Sequence, residues 1–208
     1  MVDTEFIKLY LKTNVASLSD ILKSLENSCF DDLEEAIRII YISLSSGGRL
    51  LVCGNGGSAA DAQHLTSELV ATFARGESRK PLSAICLSAD IATITAYAND
   101  YDFDKIFSRQ VEAHGRKGDC LLAISTSGKS KNVIEAVRAA RKIEMKSISI
   151  TGLMGAELAK QSDVTIQVPS KDTQIIQNVY QFLIHVMCFG IEELITATAT
   201  DPSNFHTS

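Results

Sequence analysis

The chain has 208 residues, of which 45% are apolar and 22% charged, with a formal net charge of −5. That length suits one domain, or one domain with an appendage, and is enough to bury a full core. The composition is that of a soluble globular protein. An acidic balance with no basic run argues against a nucleic-acid backbone as partner. The first residues alternate charged with apolar side chains and contain no cleavable hydrophobic segment. No stretch reaches the roughly 18 consecutive apolar residues of a membrane span. Five cysteines, with no C-x-x-C pair, lie mostly in apolar runs, as buried free thiols do. A cytoplasmic protein is expected, with no membrane or nucleic-acid partner and neither a disulfide frame nor a cysteine zinc site.

Residues 3–27 carry apolar side chains at three- and four-residue spacing and predict a helix. A second helix is expected from Asp31 and Asp32 through Leu44, ended by Gly47 and Gly48. These two helices, residues 1–46, stand before the first strand as a packing or oligomerisation unit. Their apolar stripes are to be buried on the parent sheet or against a second subunit. The apolar run 50–53 predicts a strand, Gly54-Asn55-Gly56-Gly57 a turn, and the residues from Ser58 towards Gly76 a helix. Strands are then expected at 82–87, 119–125, 147–151 and 164–168. Helices are expected at 90–98, 103–114 (after a break at Asn99-Asp100), 131–143, 155–160 and 172–197. The polar tail, 198–208, is expected to be loose.

Strands that are short apolar runs, separated by helices, predict an α/β fold over residues 47–197, a five-stranded parallel sheet covered on both faces. In such sheets ligands sit beyond the C-terminal strand ends. That rule places the 54–58 turn and the 125–130 loop on one edge.

Both stretches suit an anion. Glycines allow positive φ and close approach of the backbone to a ligand, and a helix start offers free N–H groups and the positive end of its dipole. The spacing G-N-G-G-S matches neither common nucleotide fingerprint. Between 125 and 130, Ser125, Thr126, Ser127 and Ser130 surround Gly128. Four hydroxyls can encircle a phosphate without a fixed cation, whereas one would suffice for an ordinary cap by Ser127 or Ser130. Lys129 either adds charge or points to solvent.

Strand-G-N-G-G-S-helix followed by strand-S-T-S-G-x-S-helix resembles the sugar isomerase (SIS) domain. The match extends to the phosphoheptose isomerases through Asn55-Gly56-Gly57-Ser58, Asp61 to His64, Glu68-Leu69, Asn99-Asp100, Phe107 to Glu112, Leu122 to Gly128 and the helix bearing Gln177 and His185. It spans about residues 30–195. The resemblance implies a flavodoxin-like three-layer sandwich and conversion of sedoheptulose 7-phosphate to D-glycero-D-manno-heptose 7-phosphate, a step towards surface-polysaccharide heptose.

Ketose–aldose conversion moves a proton between C1 and C2 through an enediol. It needs a base, a group that polarises the carbonyl and an acid–base partner for the oxygens. His64 and Glu68, at i and i+4, share one helix face, as an ordinary surface pair also would. Gln177 and His185, eight residues apart, can face one broad cavity, while His185 among Leu183, Ile184, Val186 and Met187 equally suits a core histidine. The resemblance implies Glu68 as base and His185 as acid–base partner. It implies zinc on His64, Glu68, Gln177 and His185, although Glu68 cannot easily be both tight ligand and free base. It implies phosphate held by Ser58, Ser125, Thr126, Ser127 and Ser130, and substrate contacts from Asn55, Gly56, Gly57, Asp61, Asp90, Asn99, Asp100 and Gln177. It further implies a homotetramer with sites between subunits, the C-terminal helix of one meeting the loops of another.

Two positions depart from the pattern. Thr72 stands where many members carry arginine, Arg75 being the nearest, and Gln174 where aspartate is common, with Asp172 or Thr173 as substitutes. A non-catalytic relative that binds the replication initiator, or an isomerase or sensor for another sugar phosphate, are the alternatives. Retention of Glu68 and His185, and the pairing of His64–Glu68 with Gln177–His185, argue for the isomerase.

Overall fold

The structure, a computed structural model, describes residues 4–74 and 79–200, with side chains through 197. Five parallel strands, β1 (Leu50–Gly54), β2 (Ala84–Cys86), β3 (Cys120–Ser125), β4 (Lys146–Gly152) and β5 (Val164–Val168), form one sheet in the order β2-β1-β3-β4-β5. Register pairs Leu51 with Leu121 and Val52 with Leu122, so β1 and β3 end side by side. The order reverses between them, which opens a crevice at their C-terminal ends.

Alternate residues feed two cores. Leu50, Val52, Leu122, Ile124, Ile148 and Ile150 face α2 (Phe30–Ser45), α3 (Gly57–Val70) and α8 (Thr173–Thr200). Leu51, Cys53, Leu121 and Ala123 face α5 (Ile106–His114) and α6 (Lys131–Lys142), and a single turn, α7 (Ala156–Ala159), links β4 to β5. The three-layer parallel α/β fold is therefore as expected.

The N-terminal pair divides. α2 buries Leu33, Ala36, Ile40 and Leu44 in the sheet core, joined by Leu25 near the end of α1 (Glu5–Ser28). The first half of α1 leaves Phe6, Leu9, Tyr10, Leu11 and Val15 exposed.

Several boundaries differ from expectation. α3 stops at Val70 rather than near residue 76, because Glu192 accepts the backbone N–H groups of Phe73 (3.0 Å) and Ala74 (3.4 Å) and draws the chain off the helix axis. Arg75 and Gly76 lie outside the described residues, as does the tail from 201. β2 keeps three of the six expected residues, being an edge strand paired only to β1. α4 (Ile91–Asp100) runs through Asn99-Asp100 and breaks at Tyr101, ahead of a 3-10 turn, Phe103–Lys105.

α8 is long and apolar enough to cross a membrane by length and composition. Its apolarity has another cause here, since Ile176, Val179, Tyr180, Leu183, Ile184, Met187 and Ile191 are buried in the sheet core.

Candidate active site

The glycine turn leaves β1 at Gly54 and enters α3 through Gly56, whose φ is +55°. The second loop leaves β3 at Ser125 and enters α6 after Ser130. Neither N-cap residue caps its helix with a side chain; in α6 Asn132 Oδ1 accepts Val133 N–H (3.0 Å), and the N–H groups ahead of it remain for a ligand. The loops are tied by a reciprocal amide pair. Asn55 Nδ2 donates to Asn132 Oδ1 (2.8 Å) and Asn132 Nδ2 donates to Asn55 Oδ1 (2.9 Å). Asn132, nearly fully buried, has no counterpart among the expected site residues. Its position two residues after Ser130, in the first turn of the helix that follows the hydroxyl loop, was the available signal.

The hydroxyls of the second loop are organised inwards. Ser125 Oγ lies 3.1 Å from Ser130 Oγ and accepts Gly128 N–H at 3.2 Å. Ser127 Oγ accepts Lys129 N–H at 3.2 Å. Ser130 starts α6 without capping it, so the ordinary-cap alternative fails for that residue. Gly128 holds φ +61° with Gly155 pressed against it, and an added Cβ would meet Gly155 Cα at 2.3 Å. Thr126, Ser127, Lys129, Lys171 and Thr173 line a depression of about 230 Å³ beside this loop. Two ammonium groups beside open hydroxyls suit an anion. Ser58 is buried beneath the turn, its backbone and Cβ packed against Gly54.

α8 runs along this edge and reaches both ends of α3. Its Gln177 amide lies over Gly57, where an added Cβ would meet Nε2 at 2.2 Å. One turn further, Gln181 donates from Nε2 to Asp61 Oδ1 and places Oε1 2.8 Å from His64 Nδ1. A further turn on, His185 Nε2 lies 3.4 Å from His64 Nε2, the rings meeting edge to face with centroids 5.0 Å apart. His64 Nε2 is also 3.2 Å from Glu68 Oε1. Glu68, His64 and His185 therefore converge within one chain. Gln177 stands apart from them, eight residues or about 12 Å along α8 from His185. Gln181, absent from the expected set, completes an i, i+4, i+8 row with Gln177 and His185 that marks one helix face.

Asp61 is 4% exposed, and burial raises its carboxyl above the usual range against the pull of Gln181 and His64. Its second oxygen has no partner among the described residues. Asp90 caps α4 by accepting Thr93 N–H (3.1 Å). Asn99 and Asp100 are exposed and bond one another (2.8 Å), without a hydrogen bond to either loop. Gln174 accepts the phenol of Tyr10 from α1, and Asp172 accepts Gln174 N–H (2.8 Å) as a cap of α8. Asp172 is thus engaged as a helix cap.

The end of α3 is clamped. Thr72 donates to Glu192 (3.1 Å). The guanidinium nearby comes from Arg79, whose Nη atoms donate to the carbonyls of Glu68 and Leu69, both at 2.9 Å. Burial opposes the charge of Glu192, yet Phe73 N–H and Arg79 hold its carboxyl below the usual range.

His64 Nε2, with a Glu68 oxygen at 3.2 Å and His185 Nε2 at 3.4 Å, brings together donor types that suit zinc. Among the described residues no group of three or more His, Cys, Asp or Glu side chains is arranged to hold a metal ion.

The chain matches the SIS domain family over residues 14–152. It is 44% identical over 184 residues to the phosphoheptose isomerase of Helicobacter pylori, covering 88% of this chain and 94% of that one. It is 50% identical over 163 residues to that of Aromatoleum aromaticum, covering 77% and 81%. A solved phosphoheptose isomerase from Francisella tularensis has a TM-score of 0.83 at 37% identity, covering 93% of this chain and all of the other. With the loops paired at the β1–β3 crevice, these likenesses assign the chain to the phosphoheptose isomerases, aldose–ketose isomerases of the SIS domain family.

Proposed function

We propose that the protein interconverts sedoheptulose 7-phosphate and D-glycero-D-manno-heptose 7-phosphate. The observation that carries this reading is the meeting of Glu68, His64 and His185 on the edge that also holds two uncapped helix starts and the Ser125–Ser130 hydroxyls. His64 lies seven residues into α3, about 10 Å from the glycine turn. That span is comparable to an extended heptose phosphate, anchored at one end and reacting at the other.

The phosphate is bound by the loop hydroxyls, the α6 N-terminus, Lys129 and Lys171. Asn55, oriented by Asn132, meets the sugar hydroxyls. Glu68 removes the proton from the carbon next to the carbonyl and returns it to the neighbouring carbon. His185, exposed at the mouth of the cluster, moves the proton between the two oxygens. Anchoring at the phosphate holds the reacting carbons at Glu68, which turns proton transfer into a positioned step. His64, Glu68 and His185 would hold zinc; the expected fourth donor, Gln177, lies over Gly57 and stands about 12 Å along α8 from His185, outside that cluster. A bound zinc ion supplies Lewis-acid polarisation of the carbonyl.

The working form is a cytoplasmic homotetramer with sites completed between subunits. Exposed apolar residues on α1 and Phe182 and Phe189 on α8 support that assembly. The product serves heptose supply for surface polysaccharide.

The test is incubation with sedoheptulose 7-phosphate, in parallel with zinc and with chelator, following the aldose formed. Turnover is expected. No aldose under either condition, from folded protein, would overturn the reading.

A further inference from the structure

We propose that Gln181 is a positioning residue that keeps the proton of His64 on Nδ1, so that Nε2 turns its lone pair towards Glu68 and His185. The inference rests on reading that cluster as the reaction site.

Gln181 sits between α3 and the rest of α8, and the two ends of its amide face different partners. One end meets Asp61 Oδ1, the other lies 2.8 Å from His64 Nδ1. An amide oxygen and nitrogen are nearly indistinguishable in shape, so the partners decide which end is which. Asp61 presents a carboxylate oxygen, which accepts. The nitrogen end of Gln181 must therefore face Asp61, and the oxygen end His64. An amide oxygen only accepts, so Nδ1 of His64 carries the hydrogen.

In the neutral ring, the form that can take up a proton or a cation, that single N–H leaves Nε2 with its lone pair. That lone pair points into the cluster, 3.2 Å from a Glu68 oxygen and 3.4 Å from His185 Nε2. A lone pair facing a carboxylate is repulsive unless something electron-poor comes between them. The relay from Asp61 through Gln181 thus holds the cluster ready for a proton or a metal cation. It does so from residues that do not touch the substrate's reacting atoms. The Nδ1–H donation to an outer partner is also the arrangement that orients a metal-binding histidine.

The test uses the full chain with ¹⁵N-labelled imidazoles. The chain has four histidines, so His64 is assigned by comparison with His64→Gln. Wild type should show His64 protonated on Nδ1. Gln181→Leu should move the proton to Nε2, lower zinc affinity in a chelator competition by about 10- to 100-fold, and lower kcat by a similar factor with KM nearly unchanged. The exchange Asp61→Asn with Gln181→Glu reverses donor and acceptor at the inner contact and restores an acceptor facing His64, so the Nδ1–H signature should return. Gln181→Leu with Nδ1–H retained and zinc affinity unchanged would overturn the proposal, as would a double variant that folds but keeps the Nε2–H form. Lack of isomerase activity in the wild type would overturn the functional reading instead. The imidazole and zinc readouts would still decide the role of Gln181.

Discussion

Arg79 and Glu192 form a buried ion pair, 2% and 3% exposed, with Nε 3.2 Å from Oε2, that joins the end of α3 to α8. The same guanidinium holds the Glu68 carbonyl, and the same carboxylate stands seven residues beyond His185 on α8. The pair thereby sets the spacing between the helix that carries the base and the helix that carries its partner.

Removing one member leaves a buried charge without its counterpart. Arg79→Met should destabilise the fold by about 3–5 kcal/mol, read as a fall in the urea midpoint. The pH dependence follows from Glu192. Its carboxyl is held low in the folded state, against burial, by Phe73 N–H and Arg79. The folded value lies below the unfolded one of about 4.3. Its stabilisation is therefore fully present above that pH and is lost as pH falls through the lower folded value. The stability gap between wild type and Glu192→Gln should be constant near neutrality and should close below about pH 4. A gap that widens on acidification would contradict the assignment.

Asn132 should act on substrate binding without touching the proton transfer. Asn132→Ala removes both bonds that orient Asn55, and KM should rise roughly three- to tenfold with kcat little changed. Steady-state kinetics with sedoheptulose 7-phosphate separates the two constants.

Much of this was legible beforehand, for a physical reason. Strands buried on both faces are apolar throughout, so residues 50–53 announced themselves. Uncovered glycine and hydroxyl loops at strand ends announced the ligand edge. The edge strand β2, half as long as its apolar run, and the end of α3 were not legible, because partners distant in sequence decide them. Glu192, which ends α3, is more than a hundred residues away. Gln181 escaped notice because one amide among apolar helix residues carries no local signal. Only its partnership with Asp61 and His64, supplied by the fold, gives it meaning. Asn99 and Asp100 came forward through a motif match alone, and within one chain they bond one another.

Ser127→Ala tests the phosphate loop. Its hydroxyl is exposed at the depression with Lys129 and Lys171, so its loss should raise KM about tenfold while kcat stays near wild type. A large fall in kcat at unchanged KM would contradict an anchoring role.

Gly128→Ala should be more severe. The residue has φ +61°, and the new Cβ would meet backbone atoms of Gly155 at 2.3–2.8 Å, which cannot rotate away. The loop must shift, at a cost of about 2 kcal/mol or more. Inorganic phosphate should then no longer raise the melting temperature, as it does for a protein that binds it in the folded state.

The central claim is that Glu68 is the base acting on a phosphate-anchored sugar. Its most direct test follows sedoheptulose 7-phosphate in deuterated water with wild type and with Glu68→Gln, measuring turnover and deuterium entry at C1 and C2 alongside the dissociation constant of the sugar phosphate. The account predicts that Glu68→Gln loses both turnover and deuterium entry while binding the sugar phosphate almost as tightly as wild type. Near-normal turnover and exchange in that variant would contradict it and place the base elsewhere.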